Sequence, residues 1–276
     1  MEQASKLVDA KKELYWKINE VFLAARVEFQ SDFIKLYQLP TEKKRGRTWD
    51  RSLYVWSKSF NEYSDPEILA FLHTKGIKNV LFSLSKNTDK QKMDVFLEGA
   101  KQANINVEMM LGANEWVFPE NHERAAATSL LTSEKYGAIH FDIEPHTFDD
   151  FKERKSYYLD NYIAMLTAVR IKNPTQALSV AVPLHWPEEY YQKTSDLVDG
   201  IYIMAYGSNK PETLVRRLRP KIRQLGNDKV TVVLRLKDFA NEWELEQMID
   251  KLNQGLGIKR FAFENLTNFL ALTSQQ

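Results

Sequence analysis

The chain has 276 residues, 43% hydrophobic and 27% charged, with a formal net charge of +1. That length suits one large α/β domain or two small ones, and the near-neutral balance excludes the bulk basic field that would point to nucleic acid or an anionic membrane surface. There is no cysteine, which excludes disulfides, thiolate metal centres and a cysteine nucleophile.

The first predicted element is helical. From Ser5 to about Tyr37, Leu7, Leu14, Ile18, Phe22 and Leu23 recur at helical steps without an interrupting Gly or Pro, and Leu39-Pro40 ends the pattern. The basic run TEKKRGR (Thr41–Arg47) reads as a solvated linker. Residues 1–48 are therefore expected to be a helical extension, and residues 49–276 the main domain. The start MEQASKLVDAKKELYWK has no apolar h-region, so no secretory signal is read in the chain as written, and the compartment stays open. No run of 18 apolar residues occurs, so no membrane insertion is expected.

Eight short apolar runs follow: SLYVWS, KNVLFSLS, NVEMMLGA, AIHFDIE, ALSVAVP, GIYIMAY, VTVVLRL and KRFAFEN, nearly all separated by helical stretches. Continuous apolar character marks strands covered on both faces, as in a parallel sheet. Eight such units predict an α/β fold of the closed (β/α)8 TIM-barrel type rather than an open doubly wound sheet. No GxGxxG follows any strand, and no cofactor is expected.

In such a barrel the site lies at the C-terminal ends of the strands. The residues standing there are Trp56, Glu115 and Trp116, Glu144 and His146, His185 and Trp186, Met204 and Tyr206, Arg235 and Glu264. Carboxylates and aromatics in a ring predict a polar pocket with stacking walls, suited to an oligo- or polysaccharide. On strand 4, alternation puts His140, Asp142 and Glu144 on the inner face and Ile139, Phe141 and Ile143 on the outer one. Coupled buried acids shift each other's pKa, and a rim glutamate kept protonated near neutrality is what a general acid requires.

GAIHFDIE resembles the strand-4 signature DGxDxDxE of glycoside hydrolase family 18, the chitinase-like barrels, and GIYIMAYG resembles that family's MxYD on strand 6. LSVAVP is similar to its strand 5. The resemblance implies that Glu144 protonates the glycosidic oxygen and later acts as base. It implies that Asp142 orients the substrate's 2-acetamido group, whose oxygen is the nucleophile, and that Tyr206 donates to that oxygen. The chain departs from the family pattern at four places. His140 stands for the middle Asp, Gly137-Ala138 for the opening Asp-Gly, Gly207 for the Asp after the tyrosine, and the strand-8 Trp is replaced by Phe263 or absent. His140 would replace the aspartate as a hydrogen-bond donor, or as a cation holding Asp142 ionised.

Three alternatives remain open at this level. One is a glycosidase pairing Glu144 with Asp238 or Glu264. Another is a metal hydrolase built on His140, Asp142, His146 and His185, although no HxH or HExxH spacing occurs. The third is a carbohydrate-binding barrel in which Trp56, Trp116, Trp186 and Tyr206 stack on sugar faces.

Overall fold

The computed structural model describes residues 49–83 and 85–274. The helix expected over Ser5–Tyr37 and the basic run Thr41–Arg47 lie outside these residues. The strands are β1 (Asp50–Val55), β2 (Asn79–Ser83), β3 (Asn106–Leu111), β4 (Ile139–Phe141), β5 (Leu178–Pro183), β6 (Gly200–Met204), β7 (Val230–Arg235) and β8 (Arg260–Glu264). Between and after them run helices α1 (Ser57–Glu62), α2 (Asp65–Lys75), α3 (Lys90–Gln102), α4 (His122–Tyr136), α5 (Lys155–Lys172), α6 (Glu188–Ser195), α7 (Pro211–Leu225), α8 (Glu242–Leu256) and α9 (Leu266–Ser274). All strand pairs are parallel, and the ring closes in the order β1 to β8. The seam pairs β1 with β8 from Asp50 opposite Arg260 to Leu53 opposite Phe263. The fold is a (β/α)8 barrel, as the eight apolar runs predict.

Local chemistry starts and stops the helices. Ser64 and Glu67 form a capping box at α2, with Pro66 in its first turn. Gly76 ends α2 at φ 66°, a conformation glycine adopts without a Cβ penalty. Asp89 and Asn241 cap α3 and α8 by accepting from Lys92 N–H and Glu244 N–H.

Strand alternation divides the apolar residues into two cores. Outward residues such as Leu53, Val80, Met109, Phe141, Val180, Ile203, Val232 and Phe261 form one continuous layer with the helices. Each fully buried side chain of this size contributes about 1.5–3 kcal/mol. Beside the seam, Phe269 of α9 packs edge-on to Phe71 (5.3 Å) and Phe263 (5.1 Å). Arg51 is buried in this layer with 1% exposure, held by two hydrogen bonds from one guanidinium nitrogen to Glu246 (2.8 and 2.6 Å). Inward residues Tyr54, Leu81, Met110, Ala181, Tyr202, Met204, Val233 and Ala262 form a second, smaller core inside the ring.

β4 is shorter than the sequence suggests. The run AIHFDIE reads as a strand through Glu144, but the ladder ends at Phe141. Asp142 N–H still donates to Leu111 O (3.0 Å). The Glu144 N–H is then taken by the side-chain oxygen of Asn114 (2.7 Å) rather than by a neighbouring strand. Pro145 has no N–H, and a 3-10 turn begins there.

Candidate active site

The barrel interior is layered. At the bottom, Ser52, Asn79, Glu108, Ser179 and Thr231 point inward, by strand parity, near the N-terminal ends of the strands. A mostly apolar middle follows, from Leu81, Met110, Ala181, Val233 and Ala262, interrupted by Tyr54, His140 and Tyr202. At the C-terminal mouth stand Trp56, Asp142, Glu144, Met204, Tyr206, Arg235 and Glu264. Trp56 and Tyr206 are half-buried against the inner core.

The mouth carboxyls are electrostatically uncomfortable. Burial, and then the nearby Glu144 charge, pushes Asp142 up to about 7. Burial also raises Glu144, whose side chain keeps 34% exposure. Asp142 therefore titrates near neutrality while Glu144 reaches solvent, the division of labour that an orienting acid and a rim proton donor need. Burial raises the Tyr206 hydroxyl, and the Asp142, Glu264 and Glu144 charges add to it. The Glu144 backbone is fixed by a small network: Asn114 Nδ2 donates to Thr147 Oγ1 (3.1 Å), and Thr147 Oγ1 donates to Glu144 O (2.7 Å).

On the opposite rim, Arg235 donates from two nitrogens to Asp238 Oδ1 (2.9 and 2.6 Å), and Gly207 N–H donates to Asp238 Oδ2 (2.9 Å). Asp238 is therefore committed to holding Arg235 and the loop after β6. Arg235 lies over the Tyr206 ring at 5.8 Å. Glu264 is raised by burial, opposed by Lys237 and Arg235, and its Oε2 is buried without a hydrogen-bond partner.

Several sequence expectations need correction. Trp116 and Trp186 are not at the mouth. They lie in the outer core at 5% and 2% exposure, edge-on to Phe141 (5.9 Å) and Tyr162 (4.9 Å). Both follow strand ends closely in sequence, but each turn rotates the indole back over the helix layer. Phe263 also faces outward and forms no floor beneath a sugar; the inward residue at the end of β8 is Glu264. Glu115 and His185 are exposed, with His185 beside His146 (ring centroids 5.6 Å). His146 Nε2 stands 3.9 Å from Glu144 Oε1.

His140 lies wholly inside the barrel. Burial lowers its pKa to about 3, so it is neutral and holds no cationic charge beside Asp142. Both ring nitrogens are engaged, by Tyr54 and Ser179. That removes His140 from a metal set with His146 and His185, and no cluster of three or more His, Asp or Glu suited to a metal occurs among the described residues.

Sequence reasoning missed Tyr54 and Glu108, and it placed Asn114 at the end of strand 3 without assigning it a role. Glu108 was legible by the alternation applied to β4: in NVEMML it shares the inward parity of Met110. Position after strand 3 points to Asn114, but not to the Glu144 amide that its side chain accepts from.

No family model and no curated protein sequence matches the chain. Solved structures do resemble it. A chitinase from Bacteroides thetaiotaomicron superposes with a TM-score of 0.61 at 13% identity, covering 80% of this chain and 90% of that one. The catalytic domain of a hyperthermophilic chitinase from Pyrococcus furiosus gives 0.56 at 14% identity, covering 78% and 83%. A candidate deoxyribose-phosphate aldolase from Toxoplasma gondii gives 0.53 at 9% identity, covering 83% and 94%. At these identities the likeness is one of fold, shared by enzymes of unrelated chemistry.

Proposed function

We propose that the chain is a glycoside hydrolase acting on an N-acetylated amino-sugar glycan. The observation that supports this reading is that burial raises both Asp142 and Glu144, that the Glu144 charge acts on Asp142, and that both act on Tyr206. Glu144 donates its proton to the glycosidic oxygen while the substrate's acetamido oxygen attacks the anomeric carbon and the leaving sugar departs. Asp142 and Tyr206 hold the acetamido group. Glu144, now a carboxylate, takes a proton from the water that opens the cyclic intermediate. Trp56, half-buried at the end of β1, supplies a ring face for a sugar.

Schiff-base chemistry of the aldolase kind has less support. No lysine occupies an inward-facing strand position among the described residues, so the interior offers no amine nucleophile. The runner-up is a two-carboxylate glycosidase pairing Glu144 with Glu264, favoured by the unpartnered Oε2 of Glu264 at the mouth. Asp238 is a poorer second acid because three hydrogen bonds already hold it.

The test is hydrolysis of chitin oligomers and peptidoglycan fragments by the purified protein. Glu144→Gln is expected to lower the rate by about 10³-fold, in the range of one lost general acid, with oligomer binding retained. Equal loss in Glu264→Gln would favour the two-carboxylate route. Binding by the wild type without hydrolysis of any such glycan would make the barrel a carbohydrate-binding one.

A further inference from the structure

A line of hydrogen bonds runs up the barrel interior, and the proposed chemistry does not use it. Ser179 Oγ donates to Glu108 Oε2 (2.6 Å). His140 Nδ1 meets Ser179 Oγ at 2.7 Å, and His140 Nε2 meets the Tyr54 hydroxyl at 3.1 Å. The other Glu108 oxygen accepts from Asn79 Nδ2 (2.9 Å). Asn79 is itself fixed, because its Oδ1 accepts from Asn106 Nδ2 (2.6 Å) and its Nδ2 also donates to the Tyr202 hydroxyl (3.1 Å).

Proton counting gives this line a direction. A hydroxyl has one proton. Burial raises Glu108, but the hydrogen bonds from Ser179 and Asn79 oppose that shift and favour the carboxylate. With Glu108 a carboxylate, Ser179 spends its proton there, so toward His140 it can only accept. His140 Nδ1 must then carry hydrogen. The ring is neutral, so Nε2 is bare and Tyr54 must donate to it. Every donor points down toward Glu108, and the Tyr54 oxygen offers only lone pairs upward. After burial, Asp142 is the group that acts most strongly on Tyr54.

We infer that Glu108, at the bottom of the barrel, is a positioning residue that sets the His140 tautomer through Ser179 and so turns the lone pairs, not the proton, of the Tyr54 hydroxyl toward the mouth. The Asp142 charge acts on that hydroxyl, so lone pairs turned upward disfavour the ionised form of Asp142. Other titratable groups around it are Glu144, Tyr206, Glu264 on the far rim and Tyr162 of α5; none of them reverses the line below. Only the consequence for the catalytic cycle, an Asp142 kept protonated before substrate arrives, rests on the glycosidase reading.

The test is imidazole 15N NMR of the histidine-labelled protein, with the His140 signal assigned by its loss in His140→Asn. The wild type is expected to show hydrogen on Nδ1 and none on Nε2 from pH 5 to 8. In Glu108→Gln the amide oxygen stays with the Asn79 donor, so the NH2 faces Ser179 and the line inverts, moving the His140 hydrogen to Nε2. Tyr54 then turns its proton toward the mouth, and the Asp142 carboxyl 13C titration is expected to fall by about one pH unit, as for a donor turned toward the charged form. Tyr54→Phe is expected to leave the hydrogen on Nδ1, because the direction is set from below. A wild-type ring with hydrogen on Nε2 or on both nitrogens overturns the inference, whether or not either variant folds. So does a tautomer that follows Tyr54 rather than Glu108. None of these readouts needs hydrolysis, so an inactive protein with the expected tautomer would count against the glycosidase reading alone.

Discussion

Asp142 is the residue at which stability and chemistry conflict. Its carboxyl has an ordinary value of 3.8 and sits at about 7 in the folded chain, chiefly through burial. A raised acid favours folding fully below pH 4, and that contribution is lost as pH climbs from about 4 to about 7. Above 7 the native state holds a charge that the unfolded chain would solvate better. Asp142→Asn is therefore expected to raise the melting temperature more at pH 8 than at pH 4, by at least about 3 °C, since each kcal/mol is about 2–4 °C at this size. Equal gains at both pH values would show that the carboxyl is not strained by ionisation. The alternation of GAIHFDIE made the inward direction of Asp142 legible. The charge state of its neighbour was not legible, because a histidine's protonation depends on burial depth and partners that arrive from β1, β3 and β5.

Among the strands, β4 is the most lightly tied. It pairs at three positions with β3 and three with β5, whereas β2 with β3 and β5 with β6 pair at five. Its continuation is held by the Asp142 amide on Leu111 and by Asn114 on Glu144. Gly112 matters for this reason: a Cβ there would stand 2.9 Å from the Asp142 carbonyl oxygen, a backbone atom that cannot swing aside. Gly112→Ala is expected to destabilise by about 1–3 kcal/mol, the usual range for overpacking, measured as a lower urea midpoint. Gly200→Ala, whose Cβ would meet Ser179 Cβ at 3.4 Å, is the milder control, and the opposite ranking would argue against this account. All eight strands were legible from apolar runs, most within two residues of their observed ends. Strand 4 was overread because Asp142 and Glu144 keep the alternating pattern after the ladder has stopped. The tryptophans misled for a related reason: position after a strand end does not say which way a turn rotates an indole.

At the scale of the molecule, closure leaves no free sheet edge. The amides of β1 and β8 at the seam are therefore expected to exchange hydrogen within about tenfold of those in β5 and β6, as in one cooperative unit. Exchange at the seam faster by about 10³-fold would show that the ring opens there. Barrel closure was legible because eight apolar runs, nearly all separated by helical stretches, match the eightfold strand–helix repeat of the closed barrel better than an open doubly wound sheet. The contents of the ring were only half legible, since the sequence shows inward parity but not which inward groups meet across the axis.

The layered interior has one more consequence. Leu81, Met110, Ala181, Val233 and Ala262 form an apolar waist between a polar, hydrogen-bonded base and an acidic mouth. The line from Glu108 to Tyr54 crosses that waist, and Glu108 also acts on Tyr54 through space. A change of charge at the base is therefore expected to act as a remote setting on the acids at the mouth.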